Sequence, residues 1–223
     1  AWLPLNPTGY RLGPAIDRWV DPTSPPGNAQ TTELAPAEGG HTKVAVKTTD
    51  LGNGSWRYDY AVMNLDYSRA VVVPQENGPD PRVVSNLGFD SFSIPLPAGS
   101  VVSATSFRDN TNMGDQPWAV TVGSNSVTWS SAGTTLDWGS MYAFSVTTNA
   151  VPGSGSSTLH VAQAGTPASY GVATLVPGGA VIPQPQVAVS PTSVEVDVVQ
   201  GGTASTVLTI GNSGADGSTL NYA

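Results

Sequence analysis

The 223-residue sequence contains no cysteine, and its 8 basic residues include only two lysines, Lys43 and Lys47. The first absence excludes disulfides, thiolate catalysis and cysteine-ligated zinc or iron–sulfur centres. The second, set against 16 acidic residues and a formal net charge of -8, leaves no clustered cations to track a nucleic-acid backbone or an anionic membrane surface. No run of about 18 apolar residues is present to span a bilayer as a helix. The opening residues also lack the basic, apolar, small-residue order of a secretory leader. Helical periodicity never persists beyond about two turns, shorter than the roughly three of a typical helix. What is present suits short strands joined by turns: 25 glycines, 19 prolines and a 39% apolar fraction sufficient for a core.

The clearest strand runs through Trp56, Tyr58, Tyr60 and Val62, which alternate with Arg57, Asp59, Ala61 and Met63. Side chains alternate between the two faces of a strand, so three rings and a valine share one face and mark the middle of a core. Upstream, Thr42, Val44, Val46 and Thr48 alternate with Lys43, Ala45 and Lys47, predicting a strand with its lysines toward water. Asn53-Gly54 joins the two as a hairpin. Residues 70–73 are a short apolar run, 75–86 a polar loop, and 89–96 and 101–107 further strands. A two-residue turn at Ser124-Asn125 sets Val122 opposite Val127 and Val120 opposite Trp129, with Trp118 on the same face. A three-residue loop would divide the tryptophans between faces, so the first register is predicted. Tyr142, Phe144, Val146 and Thr148 alternate along another strand, and residues 158–164 and 169–176 form a last hairpin. About nine strands at short spacing predict an all-β fold, an antiparallel β-sandwich over residues 41–176.

Two flanking regions differ in style. Residues 1–40 carry repeated prolines, each lacking a ladder donor, among apolar residues such as Ile16, Trp19 and Val20. They predict an irregular Pro-rich N-terminal arm packed on the main domain and covering a sheet edge. Residues 177–186 read as a Pro/Gly linker. Residues 187–223 then supply alternating valines, Gln200-Gly-Gly and Ile210-Gly-Asn-Ser-Gly214. They predict three or four strands, about half of what a fold of roughly 100 residues needs.

The pattern from Trp56 to Arg69, with Phe92-Ser-Ile-Pro95, Trp118, Val127-Thr-Trp129 and the stretch from Leu136 to Phe144, resembles β-rich regions of large secreted bacterial proteins that have no assigned activity. The tail, from Ser190-Pro-Thr-Ser through Gly201-Gly to Leu220-Asn-Tyr222, is similar to bacterial immunoglobulin-like repeats that follow secreted enzymes and adhesins. It implies a partial immunoglobulin-like C-terminal module whose open strands must be completed by docking or by another subunit. The abundance of Ser, Thr, Gly, Asn and Val with few lysines likewise resembles bacterial extracellular modules, implying a secreted, extracellular or cell-surface location.

Chemistry-bearing patterns are few. Gly153-Ser-Gly-Ser156 is not a Gly-x-Ser-x-Gly nucleophile elbow. His41 and His160, the only imidazoles, have no motif around them and read as structural or surface residues. Glycoside hydrolysis needs two facing carboxylates about 5–10 Å apart, for which Asp90, Asp109, Asp115 and Asp137 are the candidates. Scattered over turns, these acids read more simply as solvated. Asp109, Asn110, Asn112 and Asp115 put four hard oxygen ligands beside Gly114, the composition of a calcium loop, although the spacing is not that of an EF-hand. Trp2, Trp19 and Trp138, in loops or the arm, are candidate platforms for stacking on sugars, whereas Trp56, Trp118 and Trp129 share faces with valines and read as core. The sequence thus points away from an enzyme. It points toward an extracellular structural or adhesive β-sandwich that presents loops and sheet edges to other chains or domains, itself included, with calcium as its one cofactor candidate. The alternative is an accessory or carbohydrate-binding region of a secreted polysaccharide-active enzyme, with a glycan as partner.

Overall fold

A computed structural model of the chain describes residues 13–37, 39–75, 78, 80–109, 118–131 and 133–221. The fold is all-β and its core is a sandwich. One five-stranded antiparallel sheet has the order β1 (Ala29–Leu34), β2 (Thr42–Asp50), β3 (Trp56–Asn64), β10 (Met141–Thr148), β7 (Val102–Arg108). The other has the order β12 (Ser169–Val181), β11 (Ala150–Val161), β6 (Phe89–Pro95), β9 (Ser126–Ser130), β8 (Ala119–Val122). Two ribbons lie outside them: β4 (Arg69–Val73) with β5 (Arg82–Leu87), and β13 (Val187–Ser190) with β14 (Thr209–Asn212). The short helix α1 (Ile16–Trp19) is the one α-helix among the described residues, and none there is long and apolar enough to cross a membrane.

The alternation read along the sequence is what closes the core. Tyr58, Tyr60 and Val62 of β3 and Phe144 and Val146 of β10 turn inward from the first sheet, while Phe92, Ile94, Val127, Trp129 and Leu159 turn inward from the second. Phe92 is the cross-sheet hub, its ring 4.7 Å from that of Phe144, 5.4 Å from Tyr60 and 6.0 Å from Trp129. Three of the core rings bond a backbone acceptor through their polar tips: Tyr58 Oη donates to the carbonyl of Ala150, Tyr60 Oη to Leu175, and Trp129 Nε1 to Ser106. Burial of these phenols disfavours their charged form. The pKa values of Tyr58, Tyr60, Tyr67 and Tyr142 all rise above the ordinary 10.0, with the charges of Asp109 and Asp137 adding to the rise at Tyr142.

Three small features fix how the strands connect. Asn64, fully buried at the end of β3, donates from Nδ2 to the carbonyls of Tyr67 and Leu136 and accepts from the Tyr67 N–H. Asn149 is the single residue between β10 and β11, where the chain crosses from one sheet to the other. Its side chain accepts from Val101 N–H and donates to the carbonyl of Ile182, so the corner leaves no orphaned backbone group there. Gly88 allows a close approach: a Cβ on it would fall 2.1 Å from the Leu136 carbonyl oxygen.

The β8–β9 register is the predicted one, with Val122 opposite Val127 and Val120 opposite Trp129. Other details differ. Residues 29–34, expected as irregular arm, form β1 and pair with β2. Residues 82–86, expected as part of the 75–86 loop, lie in β5. Its Val83 and Val84 are exposed, so no buried face gave that strand a readable alternation. The β11–β12 hairpin is longer than expected and runs into residues 177–181, assigned above to the linker. Lys43 and Lys47 do not face water but lie under the N-terminal segment. Lys43 Nζ sits 2.8 Å from Asp17, and Lys47 Nζ lies 5.1 Å from the centroid of the Trp19 ring.

Because Phe92 meets rings of both sheets, Phe92→Ala is expected to cost about 3–5 kcal/mol of unfolding free energy, measured by urea denaturation. The tyrosines give a pH dependence whose sign follows from protonation. Below pH 10 folded and unfolded states both keep their phenolic protons. Above it the unfolded chain releases protons that the folded state retains, so stability falls as pH rises from 10 toward the folded-state values. An absorbance titration of the native protein is expected to show fewer than its 7 tyrosines ionising near pH 10, with the rest appearing only on alkaline unfolding.

Candidate functional site

Two of the acids considered for hydrolysis, Asp90 and Asp137, already have work within the fold. Asp90 Oδ1 lies 2.7 Å from His160 Nδ1, and Asp137 Oδ1 accepts from the Gly88 N–H and the Thr135 hydroxyl. Asp109 directly follows β7, while Asp115 lies outside the described residues. Of the calcium-loop candidates, Asn110 and Asn112 also lie outside them, and no cluster of three or more His, Asp or Glu placed to hold a metal occurs among the described residues. His41 pairs with Asp66, its Nδ1 3.2 Å from Oδ1, and its side chain is half exposed like that of His160.

The tryptophans divide as their strand phases predict. Trp118 and Trp129 are buried, and Trp56 is packed against the core. Trp138 stands 58% exposed at a turn, Trp19 is half-buried, and Trp2 lies outside the described residues.

Two surfaces remain with features that packing alone does not use. The first is on the outer face of the β1–β2–β3–β10–β7 sheet. Ile16 and Val20 pack there against Ala29, Ala45 and Ala61 in a small second core, the alanines letting α1 come close. Beside it, Trp19 forms one wall of an open groove of about 360 Å³ whose far wall is Arg108. Two cross-strand rows make the floor: Ala61–Ala143–Arg108 and Asp59–Ser145–Ser106. Asp59 holds Arg57 at 2.9 Å. Among the described residues the Arg108 side chain makes no ion pair or hydrogen bond, and the residue is exposed. Arg108 was missed from sequence because it closes a strand next to a polar loop. The available signal was the outward phase of β3, β7 and β10.

The second surface is the C-terminal ribbon. Outside β13 and β14, residues 191–208 make no strand pairing, yet Val194, Val196, Val198, Val199, Val207 and Leu208 are all exposed. Where the sequence predicts three or four strands, two form.

No protein-family model matches the sequence, and no similar curated protein or solved structure is found. The functional reading therefore stands on these surfaces. If the half-exposed His–Asp pairs are surface links only, His41→Ala and His160→Ala are each expected to change stability by less than about 1 kcal/mol in chemical denaturation.

Proposed function

We propose that the protein is an extracellular structural or adhesive β-sandwich, without catalytic activity, that presents sheet edges and open C-terminal strands to other chains, and that it self-associates through those strands. The observation carrying this reading is the run of exposed valines and leucine between β13 and β14, ranging from Val196 at 45% to Val199 at 82% exposed. Soluble proteins leave single apolar residues in water freely, but a dense set on unpaired backbone is a surface suited to contact. Charge selects the pairing. Glu195 and Asp197 alternate with the valines, so two copies of that segment facing each other would set like charges opposite, which is destabilising. Residues 203–208 carry no charge and no proline, and make the compatible partner in a second copy. The edge strands β7 and β8, largely exposed, offer further pairing sites.

Sedimentation velocity over a range of concentrations is expected to show reversible dimers or larger assemblies. Val196→Glu and Leu208→Glu are expected to shift them to monomer without lowering the melting temperature of the sandwich. A monomer at every concentration overturns the self-association.

A second reading, the carbohydrate-binding region of a secreted polysaccharide-active enzyme, draws on the exposed Trp138 and on the groove beside Trp19.

A further inference from the structure

The outer-face groove collects the groups that recognise a sugar acid. Four of the chain's 8 basic residues, Lys43, Lys47, Arg57 and Arg108, project from this one sheet face, in a protein with a net charge of -8. Three have partners close by: Lys43 binds Asp17, Arg57 binds Asp59, and Lys47 lies against the Trp19 ring. The fourth, Arg108, is unpaired among the described residues and borders the groove. A guanidinium in that position offers a planar fork that matches a carboxylate with two parallel hydrogen bonds.

Trp19 supplies the opposite wall. Lys47 is on β2, whereas the groove lies over β3, β10 and β7, so the indole stands between the lysine and the groove. Neighbouring strands are about 4.8 Å apart, which makes the floor from Asp59 across Ser145 to Ser106 about 10 Å wide, room for one pyranose ring. Ser145 and Ser106 can donate to or accept from ring hydroxyls, and Asp59 accepts from them. Ala61 and Ala143 keep the floor low enough for a ring to reach these groups.

We propose that this groove binds a hexuronic acid residue of an acidic polysaccharide, its pyranose ring against Trp19 and its carboxylate on Arg108. The site gives the carbohydrate-binding reading a ligand class and does not depend on self-association through the C-terminal strands. A neutral sugar would leave Arg108 without the partner its position favours. A flexible peptide carboxylate would use the arginine but not the flat indole wall.

Titration calorimetry of the full chain with a short oligogalacturonate, and with the uncharged methyl ester of the same oligomer, tests the assignment. Binding of the acid is expected, with the ester at least about 10-fold weaker. Arg108→Gln, at an exposed position, is expected to remove that preference with an unchanged melting temperature. Trp19→Ala is expected to abolish binding of both, and Trp19→Phe to restore part of it. Trp138→Ala serves as the comparison and is expected to leave binding intact. No binding of either oligomer overturns the site. Equal affinity for acid and ester overturns the role of Arg108, and loss of binding in Trp138→Ala overturns the location. Each result can be obtained whether the protein is monomeric or assembled.

Discussion

The contact on which the rest of the structure depends is the meeting of Tyr60, Phe92, Trp129 and Phe144 between the sheets. Aromatic pairs at these separations contribute about 0.5–1.5 kcal/mol beyond their buried area. Their greater effect is on register: a one-residue slip of any of these strands would carry its rings to the solvent face. The phenol and indole tips add a second constraint. Tyr58, Tyr60 and Trp129 each reach a specific carbonyl, and sliding a sheet would leave those buried donors unpaired, at about 1–3 kcal/mol each. Ring packing and tip bonding therefore specify the same alignment, which is how a chain without disulfides holds two five-stranded sheets in register.

That inward commitment decides what the outer face can be. With the large rings of β3 and β10 turned in, the middle of their outward face falls to Asp59, Ala61, Ala143 and Ser145, with Ala45 beside them on β2. Alanines form a shallow surface on which Ile16 and Val20 can seat, and this explains why the lysines of β2 are covered rather than solvated. Lys43 loses water but gains both oxygens of Asp17, the compensation a largely buried ammonium requires. The groove beside Trp19 exists because the helix covers one part of this low surface and stops.

How much could be read from residues alone follows the same division. Alternation of large apolar residues made β2, β3, β6, β9 and β10 legible, and the tryptophan-sorting argument found the Val120–Trp129 register. Where burial is slight, alternation carries no signal. Val83 and Val84 sit in a surface ribbon, and Ala29 to Leu34 is a polar edge strand with a single buried residue, so both stretches resembled loop. The proline and two glycines at 177–181 suggested a linker, yet they lie in β12, whose register against β11 shifts between Ala150 and Pro152. The groove was legible only in part. Trp19 stood out by its type, but its juxtaposition with Arg108 depends on the order β3–β10–β7, a long-range pairing that no local pattern encodes.

The two proposed recognition surfaces differ in what ordering them costs. The groove stands on paired strands of a closed sandwich, so its floor and the backbone beneath Arg108 are already fixed and little conformational entropy remains to be lost on binding. The segment 191–208 is unpaired with any strand. Pairing it with another chain must overcome about 1–2 kcal/mol of backbone entropy for each residue brought into a strand. Only burial of many apolar side chains at once can offset that, at roughly 25 cal/mol per Å², and the density of valines there matches the need. A stiff site with few contacts suits a small, rigid, charged ligand. An unpaired segment rich in valine suits a large apolar partner surface, and the two proposed sites can operate on one chain without competing for the same residues.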